Sequence, residues 1–152
     1  MITTKSNNKL SYRYSQSQPP MDMDISQVQA RVPVTILRLN ERINLSNTEQ
    51  LVEKAQEIFA NGMRFLLIDL TNVPSMTSAG LRAIQTIYKI FGSEPSSDIK
   101  DSTGEKMEGS FQKSAHLKLL NPNPDLRRIL NLVGFDNYIE IHDDQQKALL
   151  AF

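Results

Sequence analysis

The run Phe65–Leu70, FLLIDL, constrains this chain more than any other stretch. Asp69 is its one polar residue. A strand with one face in water alternates apolar and polar residues, and this run does not. It therefore predicts a strand covered on both faces or central in a sheet. Such a strand needs other elements stacked on it, so the chain must build a layered fold.

The flanking segments supply those layers. VTILRLN, Val34 to Asn40, reads as a second strand. The weakly alternating segment Met21–Arg31 reads as an edge strand, joined to it as a hairpin across Pro33. In the next segment, Ser46 and Glu49 have the spacing of a capping box. Leu51, Val52, Ala55, Ile58 and Phe59 then recur at helical spacing, and Gly62 stands where a helix C-cap belongs. This predicts a helix over about 47–60. Beyond FLLIDL, Leu81, Ile84, Ile87, Tyr88 and Phe91 mark another helix.

LKLLN, Leu117 to Asn121, predicts a short strand. Leu126, Ile129, Leu130 and Val133 form a helix face ended by Gly134. YIEI, Tyr138 to Ile141, predicts the last strand, and Asp143–Phe152 a terminal helix with acids at its start. Strands alternating with helices predict an α/β fold, with a central mixed, mostly parallel sheet of about five strands and about four helices. Residues 1–20 are polar and end in two prolines, which predicts a disordered N-terminal tail before a domain over 21–152. The polar stretch over about 92–115 predicts a flexible insert.

Composition narrows the function. Lys+Arg and Asp+Glu balance at 17 each, which argues against nucleic-acid binding by charge. There is no cysteine, so neither disulfides nor thiolate chemistry enters, and a reducing compartment is expected. No apolar run is long enough to span a bilayer, and the N-terminus has no apolar core of a secretory signal, so a cytoplasmic protein is expected.

In open α/β sheets, sites lie beyond the carboxyl ends of the strands. VPSMTSAGLRAI, Val73 to Ile84, lies beyond the end of the FLLIDL strand. Ser78 falls at the predicted helix start, where unpaired amides and a partial positive charge receive a phosphate. Ala79 and Gly80 add no bulk there. The structural alternative is plain: serine is a common N-cap worth about 1 kcal/mol, and Gly80 permits close packing.

FLLIDLTNVPSMTSAGLRAI resembles the signature of the STAS family, which comprises bacterial anti-sigma factor antagonists and the cytoplasmic tails of sulfate transporters. The family pattern is an apolar strand ending in Asp-Leu, a short loop, then Asp-Ser-Ser/Thr-Gly-Leu opening a helix. It appears here as Asp69-Leu70 and Thr77-Ser78-Ala79-Gly80-Leu81. The resemblance extends from about Met21 to Phe152. It implies an anti-sigma factor antagonist, a binding module without catalytic residues, metal or cofactor. The unphosphorylated form binds an anti-sigma factor that is also a serine-protein kinase, phosphorylation blocks binding, and a phosphatase resets the switch. The acceptor serine falls on Ser78, with Thr77 as second candidate. The implied partner surface comprises Asn44, Ser46, Ser75, Met76, Thr77, Ser78, Ala79, Gly80 and Leu81. Apart from the resemblance, Met76 reads either as part of an exposed apolar docking patch or as core filling.

Three residues depart from the pattern. Thr77 stands where the family has Asp, Ala79 replaces the second hydroxyl, and Asn44 stands where antagonists often carry Asp. A second reading is a STAS scaffold or nucleotide-sensing module that works without phosphate. His116 and His142 have no serine and acid pattern of nucleophilic catalysis around them. His142-Asp143-Asp144 reads as a solvated cap rather than a metal site, and Arg127-Arg128 as a solvated helix face.

Overall fold

The computed structural model describes residues 19–92 and 113–152. The expected tail over 1–20 and insert over about 92–115 fall almost wholly outside them. The strands are β1 (Met23–Gln29), β2 (Pro33–Leu39), β3 (Leu66–Asp69), β4 (Leu117–Leu120) and β5 (Glu140–His142). The helices are α1 (Thr48–Ala60), α2 (Ser78–Phe91), α3 (Pro124–Leu132) and α4 (Gln145–Ala151). A 3-10 turn, Phe135–Asn137, precedes β5.

The strands lie in the order β1-β2-β3-β4-β5. β1 and β2 form an antiparallel hairpin, with Met23 opposite Leu39 and Gln29 opposite Pro33. The remaining pairings are parallel. Every residue of β3 is buried, as its unbroken apolar run requires. Parallel crossovers are right-handed, so successive crossovers in one direction place α1, α2 and α3 on one face. Their apolar faces join Leu37, Leu39, Leu66, Ile68, Leu117 and Leu119 in the main core. Phe59 of α1 meets Phe91 of α2 edge-on, with centroids 5.2 Å apart. The opposite sheet face is smaller: Val34, Ile36, Leu67 and Leu120 pack against Ala148 and Leu149 of α4.

Local chemistry explains the helix ends. Gly62 takes φ +97°, and the amides of Gly62 and Met63 return to the carbonyls of Phe59 and Ile58, closing α1 as a Schellman motif. Asn123 caps α3, accepting from the Leu126 amide at 2.8 Å. Asp144 caps α4 by accepting from the amides of Gln146 and Lys147.

Two expectations are corrected. The Ser46–Glu49 capping box does not form. Asn47 is the N-cap of α1, and the Ser46 hydroxyl donates to Asn44 Oδ1 at 2.7 Å. The last strand begins at Glu140, not Tyr138. Gly134, at φ +86°, leads into the 3-10 turn, and Tyr138 packs against Phe135 and Tyr88 before the ladder starts.

Candidate functional site

Two loops at the carboxyl end of the sheet carry the predicted residues. One runs from the end of β2 into α1, the other from β3 into α2. A parallel bridge between Ile43 and Met76 joins them. The Ile43 amide donates to the Ser75 carbonyl at 3.1 Å, and the Thr77 amide donates to the Ile43 carbonyl at 3.0 Å. The bridge makes the two loops one ledge, setting Ile43 and the Asn44 turn that follows it alongside Ser75, Met76 and Thr77.

Ser78 is the first residue of α2 and is exposed. Thr77 is the N-cap, also exposed, and its side chain makes no capping bond. The start of α2 therefore keeps first-turn amides that no side chain among the described residues caps, where an anion is electrostatically welcome. Ala79 and Leu81 are half-buried.

Met76 and Gly80 are buried, so Met76 fills the core instead of forming an exposed docking patch. They support the ledge from beneath. A Cβ on Gly80 would stand 2.4 Å from Met76 Cγ and 3.0 Å from Ile43 Cγ2. Here the absent side chain lets α2 start against the bridged loops.

Asn44 is half-buried and folds its own loop. Its Oδ1 accepts from the Ser46 amide at 2.9 Å as well as from the Ser46 hydroxyl. Asn47 Oδ1 accepts from the Asn44 amide, and Asn47 Nδ2 donates to the Arg42 carbonyl. The neutral asparagine thus serves as a turn acceptor. Ser46 and Ser75 are exposed.

Behind the ledge, Asp69 is fully buried at the end of β3. Arg38 Nε donates to it at 2.9 Å, and Thr71 donates through both its amide and its hydroxyl. Asn123 Nδ2 donates to the carbonyls of Val73 and Pro74, tying the α3 start to the same loop. These contacts hold the β3–α2 loop at its start and its middle.

Two further exposed residues flank the predicted ones. Leu45 is 79% exposed on the tip of the first loop. Arg82 is exposed one helical turn after Ser78, on the same side of α2. The four-residue spacing was present in the sequence, whereas Leu45, just before the predicted helix, gave no sign of which way it would face.

The remaining polar groups lie elsewhere. His142 Nε2 is 2.7 Å from Glu140, not from Asp143 or Asp144. Arg127 pairs with Asp143 and Arg128 with Asp125. A shallow concavity of about 420 Å³, lined by Pro124, Arg127, Arg128, Asn131 and Leu132, includes none of the predicted site residues. Among the described residues, no helix is long and apolar enough to cross a membrane.

Comparison with known proteins bears on the fold. Residues 26–94 match the model of the STAS domain. No curated protein matches the sequence. Among solved structures, an anti-sigma factor antagonist from Mycobacterium paratuberculosis is similar at 18% identity, over 86% of this chain and 92% of that one, with a TM-score of 0.65. A Thermotoga maritima protein, a candidate anti-sigma factor antagonist, is similar at 22% identity, over 83% and 90%, with a TM-score of 0.62. The antagonist SpoIIAA in its unphosphorylated form is similar at 15% identity, over 84% and 94%, with a TM-score of 0.53. Residues 26–94 are thus similar to a STAS domain, and the chain has the α/β fold of the anti-sigma factor antagonists.

Proposed function

We propose that this protein is an anti-sigma factor antagonist whose binding is switched by phosphorylation of Ser78. The observation that carries the reading is an exposed hydroxyl at an uncapped helix start, on a ledge fixed from below. The unphosphorylated ledge, with Leu45, Ser46, Ser75, Thr77 and Ser78 outward, offers a mostly uncharged face to an anti-sigma factor that also acts as the serine kinase. A phosphate on Ser78 brings roughly −1.5 to −2 charge at neutral pH. The first-turn amides and the dipole of α2 offset that charge locally. The fold then tolerates the phosphate while the partner meets a solvated anion. A phosphatase returns the ledge to its binding form. In this reading the protein is a cytoplasmic binding module and kinase substrate, without catalytic residues of its own.

The experiment is intact-mass and fragment mass spectrometry on the protein from its own cells, paired with capture of the kinase partner by wild-type protein and by Ser78→Asp. Phosphate on Ser78, with capture lost in the folded Ser78→Asp protein, is the expected result. Undiminished capture by that variant sinks the switch.

The second reading is a phosphate-independent scaffold or nucleotide-sensing STAS module. Thr77 favours it, because the position lacks the carboxylate of the family pattern. A protein unmodified across growth and stress conditions, whose amide resonances in the ledge shift with added nucleotide, is the outcome that selects it.

A further inference from the structure

The outer edge of β1 is the least protected feature of the sheet. Antiparallel ladders alternate hydrogen-bonded and non-hydrogen-bonded pairs. The Asn40 amide donates to the Asp22 carbonyl at 3.0 Å, so the pair Asp22–Asn40 is of the bonded kind. The register then makes Asp24–Arg38, Ser26–Ile36 and Val28–Val34 bonded pairs as well. The amides and carbonyls of Met23, Ile25, Gln27 and Gln29 consequently point away from β2, to the outside of the sheet. Among the described residues, β1 pairs with β2 alone.

Natural edge strands are usually shortened, bulged, or armed with lysine or proline. β1 has none of these devices. It is seven residues long, its register runs unbroken, and its sequence MDISQVQ contains no Lys and no Pro. Its only charge, Asp24, lies on a bonded pair and accepts from Asn40 Nδ2 at 3.0 Å. Ile25 is 45% exposed on the helix side of this edge. Ile25 and Gln27 also wall a cleft of about 130 Å³ against Lys54 and Glu57 of α1, open at the sheet edge. Thr35 lines this cleft too, with a buried hydroxyl that has no hydrogen-bond partner among the described residues.

We propose that β1 is a docking edge for a second copy of this chain, pairing antiparallel with its equivalent about a two-fold axis at Ser26. That register is the self-complementary one. Ile25 and Gln27 of one copy form bonded pairs with Gln27 and Ile25 of the other, and Met23 pairs with Gln29. Each outward amide and carbonyl thereby finds a partner. Asp24 faces Val28 across the axis, so the two carboxylates do not oppose each other. On the helix side, Ile25 is covered by Gln27 of the second copy, and the mouth of the cleft closes. Two-fold association through one shared patch is the commonest form of oligomer. It joins the two sheets without using the Ser78 ledge, so the proposal stands independently of the switch.

The register makes a sharp test possible because the chain has no native cysteine. Ser26 lies on the axis as a non-bonded pair, where facing Cα atoms stand about 4.5 Å apart. That distance is within disulfide reach. In the full chain, Ser26→Cys is expected to give a disulfide-linked dimer under mild oxidation, while Thr86→Cys, exposed on α2, is not. Light scattering on the wild type should show a dimer growing with concentration. Ile25→Lys/Gln27→Lys should be a folded monomer, and mixing it with Ile25→Glu/Gln27→Glu should restore a heterodimer. A wild type that stays monomeric at millimolar concentration overturns the proposal. So does a dimer that persists in the double-lysine variant, or one that appears only after residues 1–18 are removed. That last result would mean the chain's own N-terminal segment covers the edge.

Discussion

At Gly80 the fold leaves no room for even one methyl group. The nearest atom is Met76 Cγ, near the root of a side chain that the Ile43–Met76 bridge already confines. Gly80→Ala should therefore push α2 off the ledge. Overpacking of this kind costs about 1–3 kcal/mol. A thermal unfolding midpoint lower by several degrees checks it, and an unchanged midpoint means the bridged loops are looser than described. Arg82 supplies a second test at this scale. It sits four residues after Ser78, the spacing at which opposite charges on a helix attract. The carboxylate introduced by Ser78→Asp should couple to Arg82 by about 0.2–0.5 kcal/mol. A double-mutant cycle with Arg82→Gln, read by urea unfolding, is the measurement, and vanishing coupling would place the guanidinium away from the helix start.

At the scale of elements, the ledge depends on more than the helix that bears Ser78. Asn123 caps α3 and also reaches the carbonyls of Val73 and Pro74. Loss of a cap residue costs about 0.5–2 kcal/mol. Asn123→Ala should lower stability by about that amount and also loosen the β3–α2 loop. Hydrogen exchange of the amides from Val73 to Thr77 should accelerate more than that of α1, and uniform acceleration would reduce Asn123 to a helix cap. The contrast among helix starts is informative. α3 and α4 are closed by side-chain acceptors, whereas α2 is not. α1 likewise starts without a side-chain cap, so the two uncapped starts are those that follow the bridged loops, and a phosphate on Ser78 would take the cap's place at α2.

For the whole molecule, the acid limit of stability is set partly on the face away from the three-helix layer. Partial burial pushes the Glu140 carboxyl up, but hydrogen bonds from His142 and Lys118, reinforced by their charges, outweigh it and leave the group below the usual carboxylate value. Lys118 is itself buried beneath Phe152, with its ammonium 3.2 Å from Glu140. A carboxyl lowered by folding stabilises the native state above its unfolded value, and that contribution is lost as pH falls through the folded one. Denaturant unfolding from neutral to acid pH should therefore show stability falling across the carboxylate range. Glu140→Gln should start lower at neutral pH and flatten this part of the profile. A parallel profile in the variant would assign the acid loss to other carboxylates.

The sequence by itself determined the order of elements and the layered class of fold, because an apolar run such as FLLIDL can be satisfied only inside a stack. It also determined the place of Ser78, since small residues between a buried strand and an amphipathic helix have one natural position in such a stack. Its local signals misled where several partners compete. Ser46 had the spacing of a capping box, but Asn44 and Asn47 offered better-placed acceptors and took the turn. Tyr138 had the character of a strand residue, but its ring found Tyr88 and Phe135 first. Tertiary structure alone decided that Met76 and Gly80 lie under the ledge, because their burial comes from Ile43, far away in sequence and joined through backbone bonds. It likewise decided which amides of β1 face outward, since register is a property of the pair of strands and cannot be read from either one.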